Sequence, residues 1–521
     1  MPARHRTLLA TVGAAVLAAA LLTQPGAASG ASGWDGEPVG HPIEGPAARA
    51  AQVLEEADGL LRGSSSGRDA SLVLLELARS RTALPAARRA EADRILARPT
   101  DNPDPQQFGY RAGAQPTAAC QDGFCVHWAR QTSDAPDLSD GNGNGRPDYV
   151  DLVFTTLAEV SGTYAGAGYR RPVADGIRGG GLDQFDVYLV DSGTRGDGIY
   201  GYCAPEGVTS AQQRSATAYC ALDNDFAEFP SHTPTENLQV TLAHEYFHAV
   251  QLAYDLTEDP WFLESTATWV EDEVYDGVND NVQYLRNSPM SQPGVPLDQG
   301  EGMRVYGSWI FFRHLSEVEP RAQGGLPTII REIWERAAGP AYSIQAVEAV
   351  LGERGRSMTA TVARFSAANR HPRSSYAEGS RYPATTPESS ARVARGQSRR
   401  AALTLDHLGS GTLRYRPDTG ASRRAGRLRI TVDLPRRSRP TAAVLTVRQE
   451  SGRLRTRVVR VDRSGGARIT LPFAAGRVRY VDVTLVNAAT RYRCGRGTVH
   501  SCRGRSLDDD LTLRVQVRAL A

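Results

Sequence analysis

At 521 residues the chain is too long for one ordinary domain. Its 40% hydrophobic and 23% charged residues mark a globular protein and exclude full disorder or a collagen-like fibre. Its one long apolar run lies at the N-terminus, which excludes a multi-span membrane protein, and all 60 basic residues are Arg, which excludes a Schiff-base or P-loop lysine. The net charge of +2 hides an asymmetry: residues 391–521 carry 29 Arg against 9 acidic residues, whereas the rest carries 31 Arg against 49. An acidic body is joined to a basic tail.

In chain order, Arg4, His5 and Arg6 precede an apolar stretch from Thr7 to Leu22, and small residues follow it. This is the layout of a secretory signal peptide over residues 1–31, so the mature chain is expected to be secreted and extracellular, with no stable membrane span after cleavage. The six Cys fit export. They fall as close pairs, Cys120 with Cys125, Cys203 with Cys220 and Cys494 with Cys502. Three local disulfides are the simplest reading among the roughly 15 connectivities that six Cys allow.

Helical apolar spacing runs over residues 47–61 and 70–96, which makes residues 32–104 a helical N-terminal region, either a propeptide or an N-terminal cap on the catalytic segment. Within residues 105–375 the stretch Phe185–Asp191 alternates like a strand, Thr217–Leu222 is a second candidate, and beyond Thr233 the pattern is helical to about Asn369. Strands followed by helices predict an α+β fold. Residues 376–400, rich in Ser, Pro, Thr and Arg without periodicity, read as a linker. Residues 401–521 then alternate in short β runs at Leu403–Leu408, Leu413–Tyr415, Leu428–Leu434, Ala443–Val447, Val458–Val461, Ala467–Leu471, Val478–Val486 and Leu511–Val517. That spacing predicts a basic antiparallel β-sandwich.

The chemistry concentrates in Thr241–Gln251, which contains His244-Glu245-Tyr246-Phe247-His248. On a helix, residues four apart share a face, so His244 and His248 offer two imidazoles to one Zn2+ while Glu245 reaches a metal-bound water as general base. Asp259-Pro260 reads as the start of a second helix carrying Glu264 one turn in, with 15 residues between it and His248, as third ligand. Glu271, Asp272 and Glu273 further along that helix read first as a solvated face, with one of them as the alternative candidate to orient His244 or His248. A third ligand six residues after His248 is rejected, because that position is Tyr254, Gln251 stands where a Gly is needed, and Asp255 is one residue late.

These residues, with Trp261–Tyr275 and Tyr306-Gly307, resemble the gluzincin branch of zinc metallopeptidases, and are similar to the bacterial secreted MXAN_6640-family metalloproteases over about residues 105–375. The resemblance implies a zincin-like fold for that segment, zinc on His244, His248 and Glu264, Glu245 as the base, and Tyr306 as a hydroxyl donor to the developing oxyanion. It departs from many gluzincins at Thr268, where an acidic residue is common.

A second metal signal is Asp140-Gly-Asn142-Gly-Asn144-Gly-Arg146-Pro-Asp148-Tyr-Val-Asp151. Oxygen side chains fall at the offsets of a Ca2+ loop, Gly145 occupies the sharp turn, and Arg146 would contribute its backbone carbonyl. Asp223-Asn224-Asp225 is a weaker acidic patch. The expectation is a secreted zinc-dependent endopeptidase acting on protein or peptide. The alternative is a non-catalytic binding protein with a structural metal whose basic sandwich grips anionic cell-surface polymers. No nucleic-acid motif is present.

Overall fold

The computed structural model describes residues 45–61, 69–101, 108–180, 183–195, 198–210, 212–418 and 426–520. The predicted signal peptide lies outside these residues. The fold is α+β.

The chain starts with α1 (Pro46–Leu61), α2 (Ala70–Ser80) and α3 (Ala86–Ile95). The single helix predicted over 70–96 is two, because Pro85 has no amide hydrogen to continue the ladder and a 3-10 turn at Arg81–Ala83 precedes it. Helix α2 is buried on two sides. Val73, Leu74 and Leu77 join α1, while Leu72, Leu75 and Ala78 enter the main core with the next segment.

That segment opens with the hairpin β1 (Pro116–Gln121) and β2 (Phe124–Ala129), followed by α4 (Asp148–Gly166), β3 (Phe185–Val190), β4 (Gly201–Glu206) and β5 (Thr217–Asp223). The sheet order is β1-β2-β3-β5-β4: β2, β3 and β5 are parallel, and β1 and the edge strand β4 are antiparallel to their neighbours. Two disulfides staple antiparallel partners directly opposite each other, Cys120–Cys125 across β1/β2 and Cys203–Cys220 across β4/β5.

Helix α5 (Pro234–Tyr254) lies against β4 and β5, and α6 (Pro260–Val274) packs on it. Thr233 and Glu236 cap α5 reciprocally: the Thr233 hydroxyl accepts from the Glu236 amide at 3.2 Å, and the Glu236 carboxylate accepts from the Thr233 amide at 2.9 Å. From Asn237 onward nearly every α5 side chain is buried, as expected of a helix covered on all faces. Beyond them come α7 (Arg304–Gly307), α8 (Trp309–Val318), a short hairpin β6–β7 (Ala322–Gln323, Leu326–Pro327), α9 (Thr328–Ala337), α10 (Ser343–Glu353) and α11 (Met358–Ala368).

The basic C-terminal part is two sheets around one apolar core that includes Leu413, Ile430, Leu445, Val483 and Val515. The strands are β8 (Ser389–Val393), β9 (Ser398–Leu405), β10 (Gly409–Pro417), β11 (Arg427–Asp433), β12 (Thr441–Gln449), β13 (Leu454–Val458), β14 (Gly466–Pro472), β15 (Val478–Asn487), β16 (Tyr492–Arg493), β17 (Arg505–Ser506) and β18 (Leu511–Leu520). One sheet runs β13-β12-β15-β10-β8 and the other β14-β11-β18-β9, with β16 and β17 a separate pair. Pairing is antiparallel except β8 on β10.

Residues 376–400 are not a free linker. Tyr376 and Tyr382 are buried in the main core, and the segment supplies β8 and the start of β9. Their aromatic surface outweighs the turn-like composition that suggested a tether. Helix α11 packs on β12 and β15, and Leu408, Ala442, Val444, Val486 and Ala488 share the core of the helical part. The third disulfide, Cys494–Cys502, closes a loop that docks on the start of α6: the Cys502 amide donates to Asp259 at 2.9 Å and Trp261 Nε1 donates to Ser501 at 3.2 Å. Asp259, expected as the α6 cap, makes no capping bond because its carboxylate serves this loop instead.

Candidate metal centre

The pitch of α5 puts His244 and His248 side by side, their rings 4.7 Å apart and nearly perpendicular. Glu264 on α6 completes the group, with Oε2 3.2 Å from His244 Nε2 and Oε1 3.4 Å from His248 Nε2. The two remaining ring nitrogens are held from behind. Glu271 lies 2.5 Å from His244 Nδ1, and Gln251 Oε1 lies 2.7 Å from His248 Nδ1. Gln251 is itself fixed by donating to the Leu263 carbonyl and the Thr266 hydroxyl. Glu271 thus holds His244 from behind, one helical turn beyond Thr268.

These residues fit a zinc ion. His248 Nε2 and Glu264 Oε1 are buried and have no hydrogen-bond partner, and two imidazole nitrogens with one carboxylate form a zinc donor set. Electrostatics agree. Burial pushes the Glu245 carboxyl up, and burial together with nearby Asp69 raises Glu264 to about 8. Glu271 rises to about 7, again chiefly through burial. Burial opposes charge on His244, yet its hydrogen bonds to Glu264 and Glu271 raise it well above its ordinary value, while burial and His244 lower His248 to about 4. Three buried glutamates around the one imidazole held in its charged form, His244, favour a divalent cation.

Glu245 places a carboxylate oxygen within 4.8 Å of ligand nitrogens of His244 and His248. The Tyr306 ring sits 6.1 Å from the His244 ring. A cavity of about 330 Å³ opens onto His244, Glu245, Glu271 and Tyr306, with Ile199 and Tyr200 on its wall. The rejected Tyr254 and Asp255 point elsewhere: the Tyr254 hydroxyl accepts from the Arg170 amide, and Asp255 accepts from Thr257.

Two further residues enter the site from α2. Asp69 Oδ2 accepts from the Tyr306 hydroxyl at 2.7 Å, and an Asp69 oxygen lies within 4.8 Å of ligand atoms of His248 and Glu264. The Ser71 hydroxyl donates to Glu245 Oε2 at 3.1 Å and accepts from the Cys203 amide at 3.0 Å. Nothing in the sequence signals them, because they stand more than 170 residues before the motif and show only helical spacing.

The Asp140–Asp151 loop closes on itself at the surface. Asp140 accepts from the Asn144 and Gly145 amides at 3.1 and 2.8 Å, and Asp148 accepts from the Gly141 amide at 2.9 Å. The Asn142 and Asn144 side chains both donate to Asp151 at 2.8 Å. Gly145 has φ +86, the left-handed turn expected of it. The oxygen set suits calcium, but the Arg146 guanidinium already pairs with Asp151, so Arg146 engages the loop through its side chain as well as its backbone. Asp223 is a loop clasp: it is buried and accepts from the Gly193 and Phe226 amides at 2.6 Å each.

Neither a family model nor a curated protein matches the chain. Among solved structures, the pre-peptidase C-terminal domain of a collagenase from Bacillus anthracis aligns over 26% of this chain and 97% of its own, at 10% identity and TM-score 0.16. A family GH115 4-O-methyl-α-glucuronidase aligns over 55% of this chain and 45% of its own, at 10% identity and TM-score 0.13. At such scores neither likeness establishes a shared fold, and the site rests on its own geometry.

Proposed function

We propose that the chain is a secreted zinc-dependent endopeptidase with a zincin-like domain, in which His244, His248 and Glu264 hold the ion. The supporting observation is the pair of buried, unpartnered atoms His248 Nε2 and Glu264 Oε1 beside His244 Nε2, with both imidazoles clamped from behind. A bound zinc supplies Lewis acidity and lowers the pKa of a coordinated water to about 7. Glu245 takes a proton from water in the cavity and delivers it to the leaving amine. Its buried setting raises its proton affinity, as a general base working near neutral pH requires. The Tyr306 hydroxyl donates to the oxygen that becomes negative. The edge strand β4 offers backbone groups along which an extended peptide can lie.

The test is zinc content and casein hydrolysis of the purified chain, before and after limited proteolysis, beside Glu245→Gln. The parent should hold zinc and hydrolyse casein in a chelator-sensitive way. Glu245→Gln should keep the zinc and lose about 10²–10⁴-fold in turnover, because an amide accepts no proton. Undiminished hydrolysis by Glu245→Gln refutes the mechanism.

A further inference from the structure

A second His–carboxylate cluster lies where the helical part meets the sandwich. Asp298 comes from the loop before α7, His407 from the turn between β9 and β10, and His500 from the loop closed by Cys494–Cys502. One ligand atom from each lies within 4.8 Å of the other two. His407 Nε2 is 3.1 Å from Asp298 Oδ1, and His500 Nδ1 is 3.8 Å from the same oxygen. These spacings resemble the 3.2 and 3.4 Å of the motif site.

The support behind the ligands is also alike. His407 Nδ1 is held by Asp509 at 2.6 Å, and Asp298 Oδ2 accepts from the Tyr492 hydroxyl and the Ser501 amide at 2.8 and 2.9 Å. His500 Nδ1 is buried without a hydrogen-bond partner. Asp298 is fully buried and His407 is 1% exposed, whereas His500 borders a cavity of about 870 Å³ from which water can complete the coordination.

We propose that Asp298, His407 and His500 bind a second transition-metal ion, zinc by their two-nitrogen, one-oxygen donor set, which staples the sandwich to the helical part. The probe is zinc alone on the full chain, with stoichiometry from elemental analysis after dialysis. The parent should hold two equivalents, Glu264→Ala one, and Glu264→Ala combined with His500→Gln none. His500→Gln alone should keep casein hydrolysis but lose the zinc-dependent rise in melting temperature that Glu264→Ala retains. His407→Gln repeats the test at the buried position. One equivalent in the parent and none in Glu264→Ala would show that His407 is only an imidazolium between two carboxylates, and the proposal would fall. A second equivalent surviving in both His500→Gln and His407→Gln would equally overturn it.

A separate observation carries a regulatory inference that rests on the peptidase reading. The first turn of α2 occupies each group that catalysis needs: Asp69 the metal side and Tyr306, Ser71 the base Glu245 and the edge-strand amide of Cys203. The same Asp69 caps α2 through Oδ1, which accepts from the Leu72 amide at 3.1 Å. We infer that this turn is an autoinhibitory plug, with Asp69 standing where the scissile carbonyl would approach the ion. Asp69→Ser keeps a capping hydroxyl but removes the carboxylate, and Ser71→Ala frees Glu245.

Casein hydrolysis should rise at least tenfold in the double variant, and a peptide hydroxamate, measured by calorimetry on the zinc-loaded protein, should bind at least tenfold tighter than to the parent. Equal hydroxamate binding by parent and variant overturns the plug whatever the activity. Tighter binding with no hydrolysis in either protein supports the plug and refutes the peptidase reading instead.

Discussion

The two His–carboxylate clusters use the same donors and are built in opposite ways. At the first, His244 and His248 stand four residues apart on α5 and Glu264 sits one turn into the next helix, so helix pitch and one helix–helix contact assemble everything. At the second, Asp298, His407 and His500 arrive on three loops from distant parts of the chain, and only the docking of the sandwich brings them within reach. A helix-borne site is pre-ordered by backbone hydrogen bonds. A loop-borne one inherits its geometry from the packing between the parts it joins.

The sharpest way to break this comparison is Glu264→Ala. It should lose zinc from the helix-borne site together with all casein hydrolysis, whereas Asp255→Ala, whose carboxylate serves Thr257, should keep both. Two equivalents of zinc in Glu264→Ala, or one in Glu264→Ala combined with His500→Gln, by elemental analysis, sinks the ligand assignment.

Next in size is the dependence on packing. Deleting residues 401–521 removes Leu408, Ala442, Val444, Val486 and Ala488 from the helical core, so the truncated chain should unfold or aggregate rather than stay active. A soluble, active truncated enzyme, judged by circular dichroism and turnover, would show that the shared core is dispensable.

Glu271→Gln probes support rather than ligation. It should weaken zinc binding by about 10–100-fold, by competition with a chromogenic chelator, while leaving stoichiometry intact at saturating metal.

Replacing Asp140 and Asp148 by Ala should abolish any calcium-dependent rise in melting temperature, an effect of at most about 2.7 kcal/mol at a hundredfold excess over the dissociation constant. A shift that persists in the double variant would leave the loop as a hydrogen-bonded turn.

The smallest effect belongs to the outer face of the four-stranded sheet. Arg400, Arg427, Arg429, Arg468, Arg514 and Arg518 are exposed there, and Arg429 faces Arg518 directly across β11/β18. Like charges in that position are unfavourable without a counter-charge, which favours retention on an anionic polymer. Reversing Arg429 and Arg518 to Glu should weaken retention on phosphocellulose at low salt, and the difference should vanish by 0.15 M, where the Debye length is about 8 Å.

What the sequence by itself determined is local. The periodicity of residues 47–61, the four-residue spacing of His244 and His248, the strand runs of the sandwich and the close Cys pairs are each decided by neighbours within a turn or a hairpin. Tertiary structure decided the rest. It turned Tyr376 and Tyr382 from linker residues into core, chose Glu271 and Gln251 to hold the imidazoles, and brought Ser71 onto Glu245 and Asp69 onto the Tyr306 hydroxyl. It also gathered Asp298, His407 and His500. Those contacts depend on which apolar faces bury against one another, and burial is set by the whole chain rather than by spacing along any stretch of it.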